Sequence, residues 1–126
     1  MTKIKVAIID DEAEFVSDLA RGLELFGYEV VKAVSGARGI EVIEKDKPDV
    51  VLCDYKLEDM DGTQVIEKAR PHNPAAAYII ITAYYDEGFR DTILKAGADD
   101  VIYKPVQLAE IHAMIKRSVG GKAGSP

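Results

Sequence analysis

The chain has 126 residues, of which 48% are hydrophobic and 30% are charged, and its formal net charge is −6. This length predicts a single domain that can bury a core without a disulfide or a structural metal. The acidic balance argues against general nucleic-acid binding, which needs clustered Lys and Arg, and no apolar stretch approaches the roughly 18 residues of a membrane helix.

The single cysteine, Cys53, lies inside an apolar run and has no partner for an internal disulfide. We interpret it as a small buried hydrophobic residue. The N-terminus shows no signal-peptide pattern. Together these features predict a reducing, cytoplasmic setting without membrane contact.

Short apolar runs rich in β-branched residues alternate with longer amphipathic stretches. The runs lie at 6–9, 30–33, 50–53, 78–81 and 101–103. Such runs are typical of buried strands in a parallel sheet, and the amphipathic stretches between them predict helices. We therefore predict five consecutive strand–helix units, with right-handed crossovers and helices on both faces of the sheet.

Local signals predict where the first three helices begin and end. The first helix is predicted from about Glu12 to Phe26, with Gly27 as a left-handed C-cap. Ser35 is predicted to cap the second helix. The segment 61–64, Asp-Gly-Thr-Gln, has the capping-box pattern that opens a third.

The last two helices are predicted with less distinctive signals. Asp86 or Glu87 is expected to start the fourth helix, and the fifth is expected from about Gln107 to Ser118. Residues 120–126 are rich in glycine and are expected to form a flexible tail or linker stub. The predicted domain is therefore 1–119.

Five polar residues stand where the predicted strands end, and they are Asp10, Asp11, Asp54, Thr82 and Lys104. The ends of parallel strands gather at one edge of a sheet, where the ligands of open α/β sheets bind. Three carboxylates, a hydroxyl and an ammonium group at this edge predict a site for a divalent metal ion and a phosphoryl group.

The chemistry of these groups is consistent with phosphoryl transfer. Mg²⁺ prefers oxygen ligands, and Asp11, Asp54 and a backbone carbonyl would suit it. Of the adjacent Asp10 and Asp11, one could serve the site directly while the other acts through water. A carboxylate can accept a phosphoryl group and form an aspartyl-phosphate. The metal, Lys104 and Thr82 could then each take one phosphoryl oxygen and neutralise its charge.

The order and spacing of the motifs resemble the receiver domains of two-component response regulators over residues 3–119. The matching motifs are Ile8-Ile9-Asp10-Asp11, Asp54 followed by Met60-Asp61-Gly62, Thr82-Ala83, and Gly97-Ala98-Asp99 before Lys104-Pro105. The resemblance implies a flavodoxin-like, doubly wound α/β fold with a five-stranded parallel sheet of order 2-1-3-4-5. That order places the first and third strands side by side.

The resemblance also implies a role for each acidic residue. Asp54 would be the phosphoacceptor and Asp11 a direct Mg²⁺ ligand, with Mn²⁺ as the alternative ion. Asp10 would contact the ion mostly through water. The backbone carbonyl of Lys56 would complete the protein ligands.

Lys104 would pair with the phosphoryl oxygens, and Thr82 would move toward them. The donor implied by the family is a phosphohistidine on a sensor histidine kinase or phosphotransfer protein. Phosphorylation would bias a face made of the fourth helix, fifth strand and fifth helix, which contacts an output domain or target protein and is a candidate homodimer interface. No direct nucleic-acid contact is expected from this chain.

The sequence departs from the family pattern at one switch position. Many receivers carry Tyr or Phe three residues before the lysine, where this chain has Val101. Tyr103 shares a strand face with Val101 and could partly substitute for the missing aromatic residue, or simply pack against a helix.

Two further residues flank the approach of hydrolytic water in this family. Lys56 and Tyr84 occupy these positions, two residues after Asp54 and Thr82. We hypothesise that these large side chains slow the loss of phosphate. The alternative is that both are exposed and have no kinetic effect.

Two other functions are weighed against this interpretation. An aspartate-nucleophile phosphatase of the haloacid dehalogenase type would separate its two acids by two positions, whereas Asp10 and Asp11 are adjacent. A pseudo-receiver would keep the fold without phosphorylation, but the five site residues are all present. His72 and His112 are expected to be exposed and receive no role.

Overall fold

The computed structural model describes the backbone of residues 3–123 and the side chains of residues 3–119. Five parallel strands form one sheet in the order β2-β1-β3-β4-β5, which confirms the implied flavodoxin-like topology. The strands are β1 (Lys5–Ile9), β2 (Glu29–Ala33), β3 (Val50–Asp54), β4 (Ala77–Thr82) and β5 (Asp100–Tyr103).

The helices alternate with the strands. They are α1 (Ala13–Leu25), α2 (Gly36–Asp46), α3 (Gly62–Ala69), α4 (Phe89–Lys95) and α5 (Leu108–Ala123), with a 3-10 turn at Arg70–His72. Gly27 has a φ of 98°, in the left-handed region predicted for the C-cap. Ser35 caps α2, and Asp61 and Gln64 form a complete capping box at α3. These three predictions are confirmed.

Two helix boundaries differ from the predictions. The fourth helix begins at Phe89, later than Asp86 or Glu87, because Gly88 has a φ of 83° and the backbone enters the helix only after it. The last helix continues to Ala123 rather than ending at Ser118. It therefore includes residues 120–123 of the predicted tail, and residues 124–126 lie outside the described part of the chain.

The alternating strand residues build a separate core on each face of the sheet. One face packs against α2, α3 and α4 and includes Ile9, Val51, Cys53 and Val101. The other packs against α1 and α5 and includes Ile8. Each large apolar side chain removed from water contributes about 1.5–3 kcal/mol, so two cores hold the sheet from both sides.

The prediction that His112 is exposed is wrong. Its ring is partly buried, stacked on Phe26 with centroids 4.1 Å apart, and its Nδ1 lies 2.7 Å from the Tyr28 hydroxyl oxygen. The histidine thus joins α5 to the chain segment that follows α1. Among residues 3–123, no helix has the length and apolar character required to span a bilayer.

The register of the sheet brings distant residues to its carboxyl edge. Ile9 of β1 pairs with Cys53 of β3, so the residues that follow them, Asp10 and Asp54, emerge side by side. Thr82, the last residue of β4, pairs with Tyr103 of β5. The predicted site residues therefore share one edge.

Candidate functional site

Three carboxylates meet at this edge. Asp10, Asp11 and Asp54 each offer an oxygen, and the three oxygens lie within 4.8 Å of one another. Asp10 is 1% exposed, whereas Asp11 and Asp54 are partly buried. All the donors are carboxyl oxygen atoms, which suit a hard divalent cation such as Mg²⁺.

The surroundings of Asp54 favour its protonated form. Burial and the neighbouring carboxylate of Asp10 raise its pKa, while the Lys104 ammonium and a hydrogen bond from the backbone of Lys56 lower it, and the result is a pKa of about 6. A bound cation would favour the ionised form, because it neutralises the crowded carboxylates.

Lys104 lies among the acidic residues but does not hydrogen-bond to Asp54. Its Nζ donates to Asp10 Oδ2 at 2.9 Å and to Glu12 Oε1 at 3.1 Å, and it lies 3.8 Å from Asp54 Oδ2. Nζ also lies 4.4 Å from the centre of the Phe15 ring. Burial lowers the pKa of Lys104, but the two hydrogen-bonded carboxylates outweigh burial and raise it.

Glu12 is a site residue that the sequence analysis missed. Its carboxylate reaches back to the Lys104 ammonium, although the two residues are far apart in sequence. The available signal was its place directly after Asp10 and Asp11 at the end of a strand. A negatively charged residue is, however, also typical of a helix start, where the helix dipole favours it, so the sequence alone does not separate the two roles.

Thr82 lies where β4 ends and is 2% exposed. Its Oγ1 accepts a hydrogen bond from the Tyr84 backbone N–H at 3.0 Å. The Lys104 backbone N–H donates to the Thr82 carbonyl oxygen at 2.8 Å, so the ends of β4 and β5 are held together beside the acids.

The loop between β3 and α3 carries Lys56 and is tied at both ends. Lys56 forms an isolated antiparallel bridge with Asp61, and its side chain is exposed. Asp59, which the sequence analysis did not single out, accepts hydrogen bonds from the backbone N–H groups of Gly36 and Ala37 at 2.9 Å each. Those bonds lower the pKa of Asp59 and fasten the loop to the start of α2.

Val101 and Tyr103 share a face of β5, as the alternation predicts. Val101 is buried in the core beside α4, and Tyr103 packs against the same core. The Tyr103 ring contacts Tyr85 and Phe89 at centroid distances of 5.3 and 6.4 Å. Its hydroxyl oxygen is buried and has no hydrogen-bond partner among the described residues. The aromatic packing is therefore observed, and a switching role for Tyr103 stays a prediction.

Tyr84 and Lys56 line the same groove. Its volume is about 410 Å³, and its other walls include Tyr55 and Phe89. The Tyr84 ring packs edge-on against Phe89 with centroids 4.9 Å apart, and Tyr84 is 43% exposed. The two side chains are therefore exposed and line one groove, and their effect on hydrolytic water stays a prediction.

The sequence matches the family model described as "Response regulator receiver domain" over residues 6–116. It is 33% identical over 116 residues to the transcriptional regulatory protein PrrA of Mycobacterium tuberculosis, an alignment that covers 92% of this chain and 50% of PrrA. The chain thus spans about half the length of that relative.

Solved structures of response regulators also match the fold of this chain. A CheY-like response regulator receiver domain protein from Methanospirillum hungatei has a TM-score of 0.92 and 31% identity, and the match covers 99% of this chain and 100% of that one. A response regulator from Burkholderia pseudomallei, solved with a phosphorylated aspartic acid, a calcium ion and citrate, has a TM-score of 0.83 and 25% identity. That match covers 99% of this chain and 76% of the other.

Proposed function

The chain belongs to the response regulator receiver domain family, and on this premise we propose that Asp54 accepts a phosphoryl group from a phosphohistidine. The donor would be a sensor histidine kinase or a phosphotransfer protein. The observation that carries the proposal is the position of the Asp54 carboxylate, which shares one edge of the sheet with two more acids and the Lys104 ammonium.

The transfer exchanges one bond to phosphorus for another. A carboxylate oxygen of Asp54 attacks the phosphorus in line, and the P–N bond to the donor imidazole breaks. The imidazole nitrogen keeps the electron pair of that bond and regains a proton from solvent. Lys104 donates to one oxygen of the transferred group, and Thr82 turns its hydroxyl toward another.

A divalent cation fits the site, because three carboxylate oxygens lie within 4.8 Å of one another. Asp11 and Asp54 would hold Mg²⁺ directly, Asp10 would act mostly through water, and the Lys56 carbonyl oxygen would complete the protein ligands, with Mn²⁺ as the alternative ion. When bound, the ion neutralises charge on the carboxylates and on the incoming phosphoryl oxygens. The calcium ion in the Burkholderia regulator with a phosphorylated aspartic acid supports such a site.

The phosphorylated site would act through α4, β5 and α5. New charge at Asp54 draws the Thr82 hydroxyl and Lys104 inward, which changes the packing of their neighbours on that face. An output domain, a target protein or a second copy of the chain would then bind the face. PrrA is a transcriptional regulatory protein of which the alignment covers 50%, which supports an output segment outside the receiver domain of residues 1–119.

The test is the mass of the protein after incubation with acetyl phosphate and Mg²⁺. We expect one added phosphate, which Asp54→Asn abolishes and which does not form when Mg²⁺ is chelated. Glu58→Gln is the matched control, because Glu58 is an exposed acid in the same loop, and this variant should take up phosphate like the unmodified chain.

A phosphate on another residue, or an adduct that persists in Asp54→Asn, would contradict the proposal. If acetyl phosphate gives no adduct, a panel of phosphohistidine donors decides the matter. A chain that accepts phosphate from none of them is a pseudo-receiver that binds partners without phosphorylation.

A further inference from the structure

We infer that Glu12 is a positioning residue that competes with the phosphoryl group for the Lys104 ammonium. The inference rests on the function proposed above. It assigns to one exposed carboxylate the task of holding Lys104 away from Asp54 until a phosphoryl group draws it across.

In the absence of a phosphoryl group, the Lys104 ammonium donates hydrogen bonds to two carboxylates. An ammonium group has three N–H donors. Two are used by Asp10 and Glu12, at 2.9 and 3.1 Å, while the 3.8 Å separation from Asp54 Oδ2 is too long for a hydrogen bond. The ammonium therefore leans toward α1 and must turn to reach a group on Asp54.

The two partners of Lys104 are held very differently. The Asp10 side chain is 2% exposed, and its second oxygen accepts the Glu12 backbone N–H at 2.9 Å, so it is fixed. The Glu12 side chain is 68% exposed and can move with the ammonium or release it.

A second observation frees the Glu12 side chain for this task. Glu12 is the N-cap residue of α1, yet within the described residues its carboxylate makes no capping hydrogen bond. The polar contact described for that carboxylate is the one with Lys104. Capping the helix therefore does not explain where the side chain points.

Competition follows from these contacts. The Asp10 carboxylate is held in place, so the exposed carboxylate of Glu12 is the partner that can retain Lys104 or release it. A phosphoryl group on Asp54 then has to displace the Glu12 carboxylate as an acceptor of the Lys104 ammonium. Because exposed ion pairs contribute about 0.2–1 kcal/mol, removal of the Glu12 charge should favour the phosphoryl-bound state by up to about fivefold.

The experiment uses beryllofluoride, a phosphoryl analogue that binds the acceptor carboxylate, at saturating Mg²⁺. We expect the dissociation constant of Glu12→Gln to fall about two- to fivefold. Glu12→Asp keeps the charge but shortens the reach, and it should behave like Glu12→Gln. Glu14→Gln is the matched control, since Glu14 is an exposed acid in the first turn of α1, and its dissociation constant should stay near that of the unmodified chain.

A second readout needs no phosphoryl group. In the metal-free protein, the nitrogen-15 resonance of the Lys104 ammonium should shift and its hydrogen exchange should accelerate in Glu12→Gln and Glu12→Asp. Neither change is expected in Glu14→Gln. A purely structural role for Glu12 would change thermal stability without this pattern.

The outcomes separate the inference from the proposed function. If the unmodified chain takes up phosphate but Glu12→Gln and Glu14→Gln bind beryllofluoride equally, the inference is overturned alone. An unchanged Lys104 resonance in both Glu12 variants would also overturn it. A chain that takes up neither phosphate nor beryllofluoride would overturn the proposed function, and the competition with it.

Discussion

The two sides of the site differ in how many hydrogen bonds hold their backbone in place. On the acid side, formed by β1, β3 and the loop to α3, the backbone is tied repeatedly: Asp10 N–H bonds to the Ala33 carbonyl, and Gly62 N–H bonds to the Tyr55 carbonyl at 2.7 Å. Asp59 adds side-chain bonds from the same loop to the start of α2. These hydrogen bonds hold the backbone around the three acids in place.

The α4 side, formed by the loop after β4, α4 and β5, is tied less tightly. Helix α4 has 7 residues and starts from Gly88, which offers no side-chain cap. Tyr85 is 72% exposed, and the Tyr103 hydroxyl is buried without a partner among the described residues. Arg90 does join α4 to β5, through Asp100 and the Val101 carbonyl oxygen. A short helix without a side-chain cap is nevertheless a feature of segments that rearrange easily.

The difference assigns phosphoryl transfer to the acid side and conformational change to the α4 side. Phosphoryl transfer depends on positions held to a fraction of an ångström, which the acid side supplies. A signal requires an element whose alternative packing costs little, and the α4 side supplies that. Four changes test the contrast, and they follow from the largest expected effect to the smallest.

The first change compares one glycine on each side. A Cβ at Gly62 would lie 2.7 Å from the Asp54 carbonyl oxygen and 2.6 Å from Ile80 Cδ1, so Gly62→Ala should cost about 3 kcal/mol of unfolding free energy. A Cβ at Gly88 meets nothing within 4 Å, and Gly88→Ala should cost about 1 kcal/mol through its left-handed backbone alone.

Urea unfolding of both variants measures these costs. Equal losses, or a larger loss for Gly88→Ala, would contradict the rigid acid side.

The second change concerns the charge of Asp54 in the metal-free protein. Its pKa is raised from 3.8 to about 6, so its stabilising contribution is complete below pH 4 and is lost as the pH rises through 6. Asp54→Asn should therefore be more stable than the unmodified chain by about 2 kcal/mol at pH 7.5, and the gain should vanish at pH 4.

Thermal unfolding at the two pH values, without divalent ions, gives this difference directly. Glu58→Gln serves as the control for charge. A gain that is the same at both pH values would show that Asp54 destabilises the fold by some means other than its ionisation.

The third change sharpens the description of the α4 side. Tyr103→Phe removes the buried hydroxyl that lacks a partner and keeps the ring between Tyr85 and Phe89. We expect a gain of about 1 kcal/mol in unfolding free energy, because a buried unpaired polar group carries a desolvation cost. Chemical denaturation measures it, and a loss of stability would mean that the hydroxyl has a partner in solution.

The fourth change tests the groove lined by Lys56 and Tyr84. Lys56→Ala and Tyr84→Ala should each speed loss of the phosphate about two- to threefold, a small barrier change of under about 1 kcal/mol. The decay of the phosphorylated mass after removal of the donor gives the rates. Thr92→Ala, at another position lining the groove, is the control, and unchanged decay in both variants would end the hypothesis.

Local signals predicted most of this architecture. Apolar runs and their order placed the strands, and Ser35 and the Asp61–Gln64 box placed two helix starts, because capping is a short-range interaction. The α4 start was missed because Asp86 and Glu87 resemble a cap, whereas the left-handed backbone of Gly88 decides the boundary. At the other end, glycine predicts a stop where α5 in fact continues.

The sequence predicted which residues lie at the site but not which hydrogen bonds their side chains make. Strand ends placed Asp10, Asp54 and Lys104 at one edge, since every parallel strand ends there. That Lys104 bonds to Asp10 and Glu12 rather than Asp54 depends on side-chain directions across the whole fold. For the same reason the contact of His112 with Tyr28 leaves no trace in the local sequence.

The distance along the chain between Asp10 and Lys104 has a further consequence. The two residues stand 94 positions apart and touch only when the first and last strands of the domain have both joined the sheet. A chain in which either strand has not yet joined the sheet has the acids of β1 without the ammonium of Lys104 beside them. The pairing of acid and lysine is therefore a property of the complete sheet and of no smaller part of the chain.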